Sequence, residues 1–253
     1  MRTNRTKAKL KAGEAVFGAF MRFTEPTLID FLGYQPWDFM VFDGEHGTLE
    51  PRDCENLVRA AELHDITPLV RVTTNLPPII LRFMDTGAQG LQIPWVNTAT
   101  EADLAVRAVK YHPRGVRGLA GVRAADFLQR SSLGEYVEQA NRETLVIIQV
   151  ETAEAVENLH EIVAVDGVDV IFIGPSDLSH SLGLPGEMTH PRVQEAFQQI
   201  IDIVNASDVA LGTLVPDVES AKEWLAKGAQ YLAISPEPLL VRATRDFLEA
   251  VRE

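Results

Sequence analysis

The chain has a single cysteine, Cys54, in 253 residues. No intrachain disulfide can form, and such usage fits a reducing compartment. No apolar run approaches the roughly 18 residues that a membrane-spanning helix needs. The N-terminal stretch MRTNRTKAKLKAGEAV is basic but lacks the apolar core of a signal peptide. A cytoplasmic protein is therefore expected. Positive charge is scarce, with 23 Lys and Arg against 36 Asp and Glu, a net charge of -13 and a pI near 4.9. Such a surface repels phosphate backbones and anionic lipid, so neither nucleic acid nor a membrane is an expected partner. An anionic substrate would need locally placed arginines or a metal ion. No P-loop or G-x-S-x-G elbow occurs, and the glycines of GLAGVRAADF lack the strand-to-helix setting of a dinucleotide fingerprint.

What is present is rhythm. Strand-like runs fall at Val16–Met21, Phe39–Phe42, Pro68–Val72, Gly90–Val96, Leu145–Val150, Val168–Ile173, Val209–Val215 and Gln230–Ile234. They are almost continuously apolar, as parallel strands covered on both faces are. Amphipathic helical patterns lie between them, such as PRDCENLVRAAELHD and PRVQEAFQQIIDIVNAS. Eight β/α alternations in a chain of this length predict an α/β fold of the (β/α)8 TIM-barrel type, one domain over residues 1–253. The stretch from Tyr111 to Arg142 departs from the rhythm and predicts an elaborated loop with a short helix.

A TIM barrel places its chemistry at the C-terminal ends of the strands. There the sequence puts Asp43, Glu45 and His46 (in MVFDGEHG), Arg71 (PLVRVTTN), Gln149 and Glu151 (VIIQVET), and Asp177 (IGPSDLS). Each has an ordinary alternative. Glu151 and Asp177 could cap the helices that follow them. Arg71 could be a buried ion-pair member, His46 a structural histidine, and Asp43 and Glu45 loop-shaping acids. Asp85, late in the third helix, would alone be a solvated residue. Together, two carboxylates on neighbouring strand tips repel unless a cation or proton intervenes. Two carboxylates with waters and substrate oxygens suit a hard divalent ion such as Mg²⁺ or Mn²⁺ better than zinc, for which no Cys or multi-His cluster exists. The lysines are Lys7, Lys9, Lys11, Lys110, Lys222 and Lys227, none of them at a predicted strand tip. A Schiff-base lysine in the mouth is thereby excluded, and carbonyl activation falls to a metal.

FDGEHG, RVTTNLPPIILRFMDTGAQGLQIPWVNTATEA, YHPRGVRG and VIIQVETAEAVENLHEIVAVDGVDVIFIGPSDLSHSLG together resemble the metal-dependent class II pyruvate aldolases of the aldolase/citrate lyase family. The resemblance spans nearly the whole chain in order. It implies a modified TIM barrel with a C-terminal helix swapped between subunits, in a homohexamer built from dimers. It implies Mg²⁺, Mn²⁺ or Co²⁺ held by Glu151 and Asp177. His46 carries over as the proton-transfer residue paired with Asp85, and Arg71 as the contact of the pyruvate keto oxygen. Gly174, Pro175 and Ser176 carry over as the pocket for the pyruvate carboxylate, with Gln149 beside the metal. The implied reaction is reversible aldol cleavage of a 4-hydroxy-2-oxo acid to pyruvate or hydroxypyruvate and an aldehyde. The base is left open between His46–Asp85 and a metal-bound hydroxide. Thr73 and Thr74 depart from the serine and tryptophan usual after the arginine, as does ISPEPLL at the last strand, so acceptor specificity is unassigned. Other enolate chemistry, on oxaloacetate or an acyl-CoA, is the alternative enzyme reading, and a non-catalytic acid-binding barrel is the alternative outside catalysis.

Overall fold

The computed structural model describes residues 1–252. Eight parallel strands close in sequence order into a barrel: β1 (Val16–Met21), β2 (Phe39–Asp43), β3 (Thr67–Arg71), β4 (Gly90–Ile93), β5 (Leu145–Val150), β6 (Val170–Ile173), β7 (Ala210–Leu214) and β8 (Tyr231–Ile234). The sequence-predicted β4 ends early, because Pro94 has no N–H to donate and Trp95 takes φ 56°. The insertion holds a 3-10 turn, Arg123–Leu128, and a helix, Leu133–Glu143.

Alternation along each strand sorts the side chains. Val70, Leu91 and Ile148 face the helix layer, while Phe39, Val41, Leu69, Ile147 and Phe172 face the barrel axis. The lower interior is filled by rings: Phe39 stacks on Tyr231 at 4.1 Å, and Phe172 meets Tyr231 edge-on at 6.1 Å. Gly18 makes room for this, since a Cβ there would lie 2.2 Å from the Phe39 ring. Each such ring contributes roughly 2–3 kcal/mol by burial. Higher in the barrel the axis-facing positions turn polar. Asp43, Arg71, Gln92 and Gln149 are all buried there, on four consecutive strands. A packed apolar floor beneath a polar layer is what shapes the site.

Two features of the last third matter later. The helix Pro236–Arg252 buries none of its side chains and exposes Leu240, Val241, Phe247, Leu248 and Val251. A groove of about 540 Å³ lined in part by Phe197, Leu214, Val215 and Trp224 lies open on the barrel side. No helix among the described residues is long and apolar enough to cross a membrane.

Candidate active site

The loop after β2 is organised by one carboxylate. Asp43 Oδ1 accepts from the backbone N–H of Glu45 (3.1 Å) and of His46 (3.2 Å), which turns the chain back over the mouth. The same side chain grips β3. Arg71 Nε donates to Asp43 Oδ1 at 2.8 Å and Nη2 to Oδ2 at 2.7 Å, a bidentate fork. Arg71 Nη1 lies 3.0 Å from Glu45 Oε2, and its guanidinium rests 4.7 Å over the Phe20 ring. The backbones approach closely enough that a Cβ on Gly44 would sit 2.9 Å from the Arg71 carbonyl. Arg71 is thus fixed from three sides. Asp43 and Glu45, read from sequence as supporting acids, are its counter-charges.

The opposite wall comes from β4, β5 and β6. Gln92 donates through Nε2 to Gln149 Oε1, and Gln149 Nε2 donates to Glu151 Oε2. Trp95 N–H donates to Glu151 Oε1 at 2.8 Å. The hydrogen bonds favour the carboxylate, but burial outweighs them and pushes Glu151 up to about 7. Burial also raises Glu45, despite Arg71, with Asp43 and Asp177 adding repulsion. Gly174 is required where β6 ends, since a Cβ there would meet Glu151 Oε2 at 2.8 Å. Pro175 then starts the helix Pro175–Ser181, which sets Asp177 in its first turn.

These walls enclose a cavity of about 340 Å³. His46, Arg71, Gln149, Gly174, Pro175, Ser176 and Asp177 line it, and Glu151 stands directly behind Gln149 and Gly174. Phe20, Arg22, Phe172, Leu214 and Ser235 line it as well. None of these five was singled out from sequence, although the strand-tip rule reaches Arg22 on β1 and Ser235 on β8.

Asp85 is elsewhere. It caps the C-terminal end of the helix Pro77–Met84, whose eight residues carry the chain roughly 12 Å from the β3 tip. Its carboxylate pairs with the buried Arg117 at 2.9 Å and borders a different depression, between that helix and the inserted segment. No His46–Asp85 pair forms within the chain. Three arginines of the insertion are also committed: Arg114 to Asp166 at 2.7 Å, Arg117 to Asp85, and Arg123 to Glu62 at 2.7 Å.

The donor set suits a hard divalent cation. Glu45, Glu151 and Asp177 repel one another, and Arg71, 3.0 Å from Glu45 Oε2, offsets only part of that charge. Among the described residues no group of three or more His, Cys, Asp and Glu forms a cage. Two carboxylate ligands would leave several positions open to substrate and water, as Mg²⁺ and Mn²⁺ sites do.

Comparison with known proteins settles the family. Residues 17–242 match the family described as HpcH/HpaI aldolase/citrate lyase. The chain belongs to this family. It is 36% identical over 239 residues to the hydroxypyruvate/pyruvate aldolase of Sagittula stellata, covering 94% of each chain. It is 35% identical over 237 residues to the 5-keto-4-deoxy-D-glucarate aldolase of Escherichia coli K12, covering 92% of this chain and 91% of the relative. A solved HpcH/HpaI family protein from Burkholderia cenocepacia J2315 superposes with a TM-score of 0.94 at 33% identity, covering 99% of this chain and 100% of the other. The protein is an enzyme of this aldolase family, as its sequence motifs imply, and its barrel is the family's fold.

Proposed function

We propose that this aldolase cleaves a 4-hydroxy-2-oxo acid reversibly to pyruvate or hydroxypyruvate and an aldehyde, with a divalent ion held by Glu151 and Asp177. One observation carries the reading. A guanidinium locked by two acids lines one wall of the cavity, and a buried carboxylate displaced to about 7 stands directly behind the opposite wall. No lysine is among the residues lining that cavity. That arrangement serves charge that develops on a carbonyl oxygen, without covalent catalysis.

A bound Mg²⁺, Mn²⁺ or Co²⁺ would supply Lewis-acid polarisation of the 2-oxo acid. The chain's own groups do the rest. Arg71, which cannot swing away from Asp43, donates toward the keto oxygen as it gains charge. The first turn at Gly174, Pro175 and Ser176 receives the substrate carboxylate at a helix start. Gln149 fixes the orientation of Glu151. His46, exposed on the loop that Asp43 shapes, takes the 4-hydroxyl proton as the C3–C4 bond breaks and returns a proton to C3 of the enolate. A role for Asp85 in this transfer requires a second subunit to bring it to a cavity mouth. The unpartnered apolar face of Pro236–Arg252 and the open groove by Phe197 and Trp224 support exchange of that helix between subunits, within a homohexamer.

The test is pyruvate release from 4-hydroxy-2-oxo acids, before and after chelation. Activity lost on chelation and restored by Mg²⁺, Mn²⁺ or Co²⁺ is expected. Full activity in metal-free protein overturns the metal reading, and no pyruvate from any such acid overturns the aldolase reading. The acyl-CoA alternative is weakened, because Arg114, Arg117 and Arg123, the cluster that could dock a CoA phosphate, are already paired.

A further inference from the structure

We infer that Arg22 selects the aldehyde: it binds a carboxylate at the acceptor's far end, so the substrate is a 4-hydroxy-2-oxo acid with a second acid group. The inference rests on the aldolase reading above and adds the acceptor class to it.

The cavity needs a cation for any such group, and Arg71 is committed to its two acids and to the keto oxygen. Its Nε and Nη2 hold Asp43, and its Nη1 faces Glu45. Arg22 is the other guanidinium in the lining, placed one residue past the end of β1. It is held loosely and from one side. Its backbone N–H and its Nε both donate to Glu237 Oε1, each at 3.3 Å. Its side chain is 49% exposed. Among the described residues Nη1 and Nη2 have no hydrogen-bond or ion-pair partner. Glu237 therefore orients the fork while leaving a bidentate edge free, the geometry that a carboxylate takes.

The rest of the lining sharpens the argument. Asp43 and Asp177 would repel an anionic aldehyde, so without Arg22 the site would favour neutral acceptors. Phe172 and Leu214 supply apolar wall for intervening carbons, and Ser235 a neighbouring hydroxyl. A volume of about 340 Å³ lies at the lower end of the roughly 300–1,000 Å³ seen for small-molecule sites, enough for an open-chain diacid.

The experiment measures aldol addition of pyruvate to size-matched acceptors: succinic semialdehyde and tartronate semialdehyde against butanal and glycolaldehyde. The readout is the ratio of kcat/KM for acid over neutral aldehyde. The wild-type enzyme should prefer the acids. In Arg22→Met that ratio should fall about 10- to 100-fold through KM for the acid, and Arg22→Lys should recover part of it. Glu237→Gln, which removes the competing negative charge but keeps an acceptor that orients Arg22, should raise the ratio. Equal handling of acid and neutral aldehydes by the wild type, or an unchanged ratio in Arg22→Met, overturns the inference. The wild-type preference needs no variant, so a misfolded mutant cannot rescue the idea. Exchange of the pyruvate methyl hydrogens with D₂O separates the two claims. Exchange without an acid preference sinks only the role of Arg22, whereas no exchange in metal-loaded wild type sinks the aldolase reading itself.

Discussion

The barrel buries charge at both ends, and the two ends treat it differently. At the base, Lys110 Nζ donates to Asn141 O (2.9 Å), Thr144 O (2.7 Å) and Thr144 Oγ1 (2.7 Å). Lys7 Nζ donates to the same Thr144 carbonyl at 2.7 Å and pairs with Asp169 at 2.8 Å. Every donor of Lys110 is used. At the mouth, Arg71 is equally well held, but Gln92 Oε1 is buried without a hydrogen-bond partner, and Glu151 is displaced to about 7. A closed polar cluster specifies structure, while an open one waits for a ligand. The contrast follows the division of TIM barrels into a stability face and a reaction face.

Arg71→Ala breaks the contrast most deeply. Activity should fall about 10²- to 10³-fold, the usual cost of one lost donor to a developing oxyanion. Asp43, only 1% exposed, loses its counter-charge, so stability should fall by about 3–5 kcal/mol as well. Denaturant unfolding beside steady-state kinetics reads both. A variant of wild-type stability would show that Arg71 and Asp43 are not a buried pair in solution.

Lys110→Met tests the base. Asn141 O and Thr144 Oγ1 lose their donor, while Thr144 O keeps Lys7, at a cost of about 2 kcal/mol, and activity per folded molecule stays within about twofold. The pH dependence has a defined sign. Burial and the neighbouring Lys7 push Lys110 down to about 7 from 10.5. Between pH 7 and 10.5 the unfolded chain therefore binds the extra proton, and this group makes stability rise with pH across that window. The rise should be missing in Lys110→Met melts recorded from pH 7 to 10.

Glu151→Gln tests the mouth, and its sign is opposite. In metal-free protein burial lifts Glu151 to about 7 from 4.5, so here the folded state binds the extra proton. Stability falls as pH rises from 4.5 to 7, by up to about 3 kcal/mol once the full shift is counted. Removing the charge should make the metal-free enzyme about 2 kcal/mol more stable at pH 8 while abolishing metal binding. In the wild type, Mn²⁺ should raise Tm more at pH 8 than at pH 5.5. Destabilisation of metal-free Glu151→Gln at pH 8 would contradict the open-cluster view.

All eight strands were legible from their apolar runs, with β1 and β5 at their observed limits. The site was legible where a strand tip delivers a side chain straight into the mouth, as for His46, Arg71 and Asp177. What escaped was partnership. Asp43 reads as a loop acid until the Asp43↔Arg71 register of β2 and β3 places it against the guanidinium. Asp85 reads as a partner for His46, yet within one chain its helix carries it to Arg117, and subunit arrangement is not written in a strand tip. Lys7 and Lys110 lie 103 positions apart in sequence and meet only through the Thr144 carbonyl. Spacing along a strand is local information; contacts between strands and helices depend on register and helix length, which a single sequence states only indirectly.

Gln92 gives the finest test of the same contrast, because it is wholly buried yet touches the chemistry only through a neighbour. Its Nε2 donates to Gln149 Oε1, which leaves the Gln149 amide nitrogen facing Glu151. In Gln92→Leu only the hydrogen bond to Glu151 itself still holds that orientation, so Gln149 loses one of its two anchors and Glu151 is positioned less firmly. Mn²⁺ affinity, followed by calorimetry, should weaken about three- to tenfold, at or below the usual penalty for losing a group behind a metal ligand. Stability should change by less than about 1 kcal/mol, because the unpartnered Gln92 Oε1 is removed together with the hydrogen bond. A variant with wild-type affinity would place Gln92 with the packing residues of the floor. A weakened affinity at constant stability would extend the reaction face one residue deeper into the barrel.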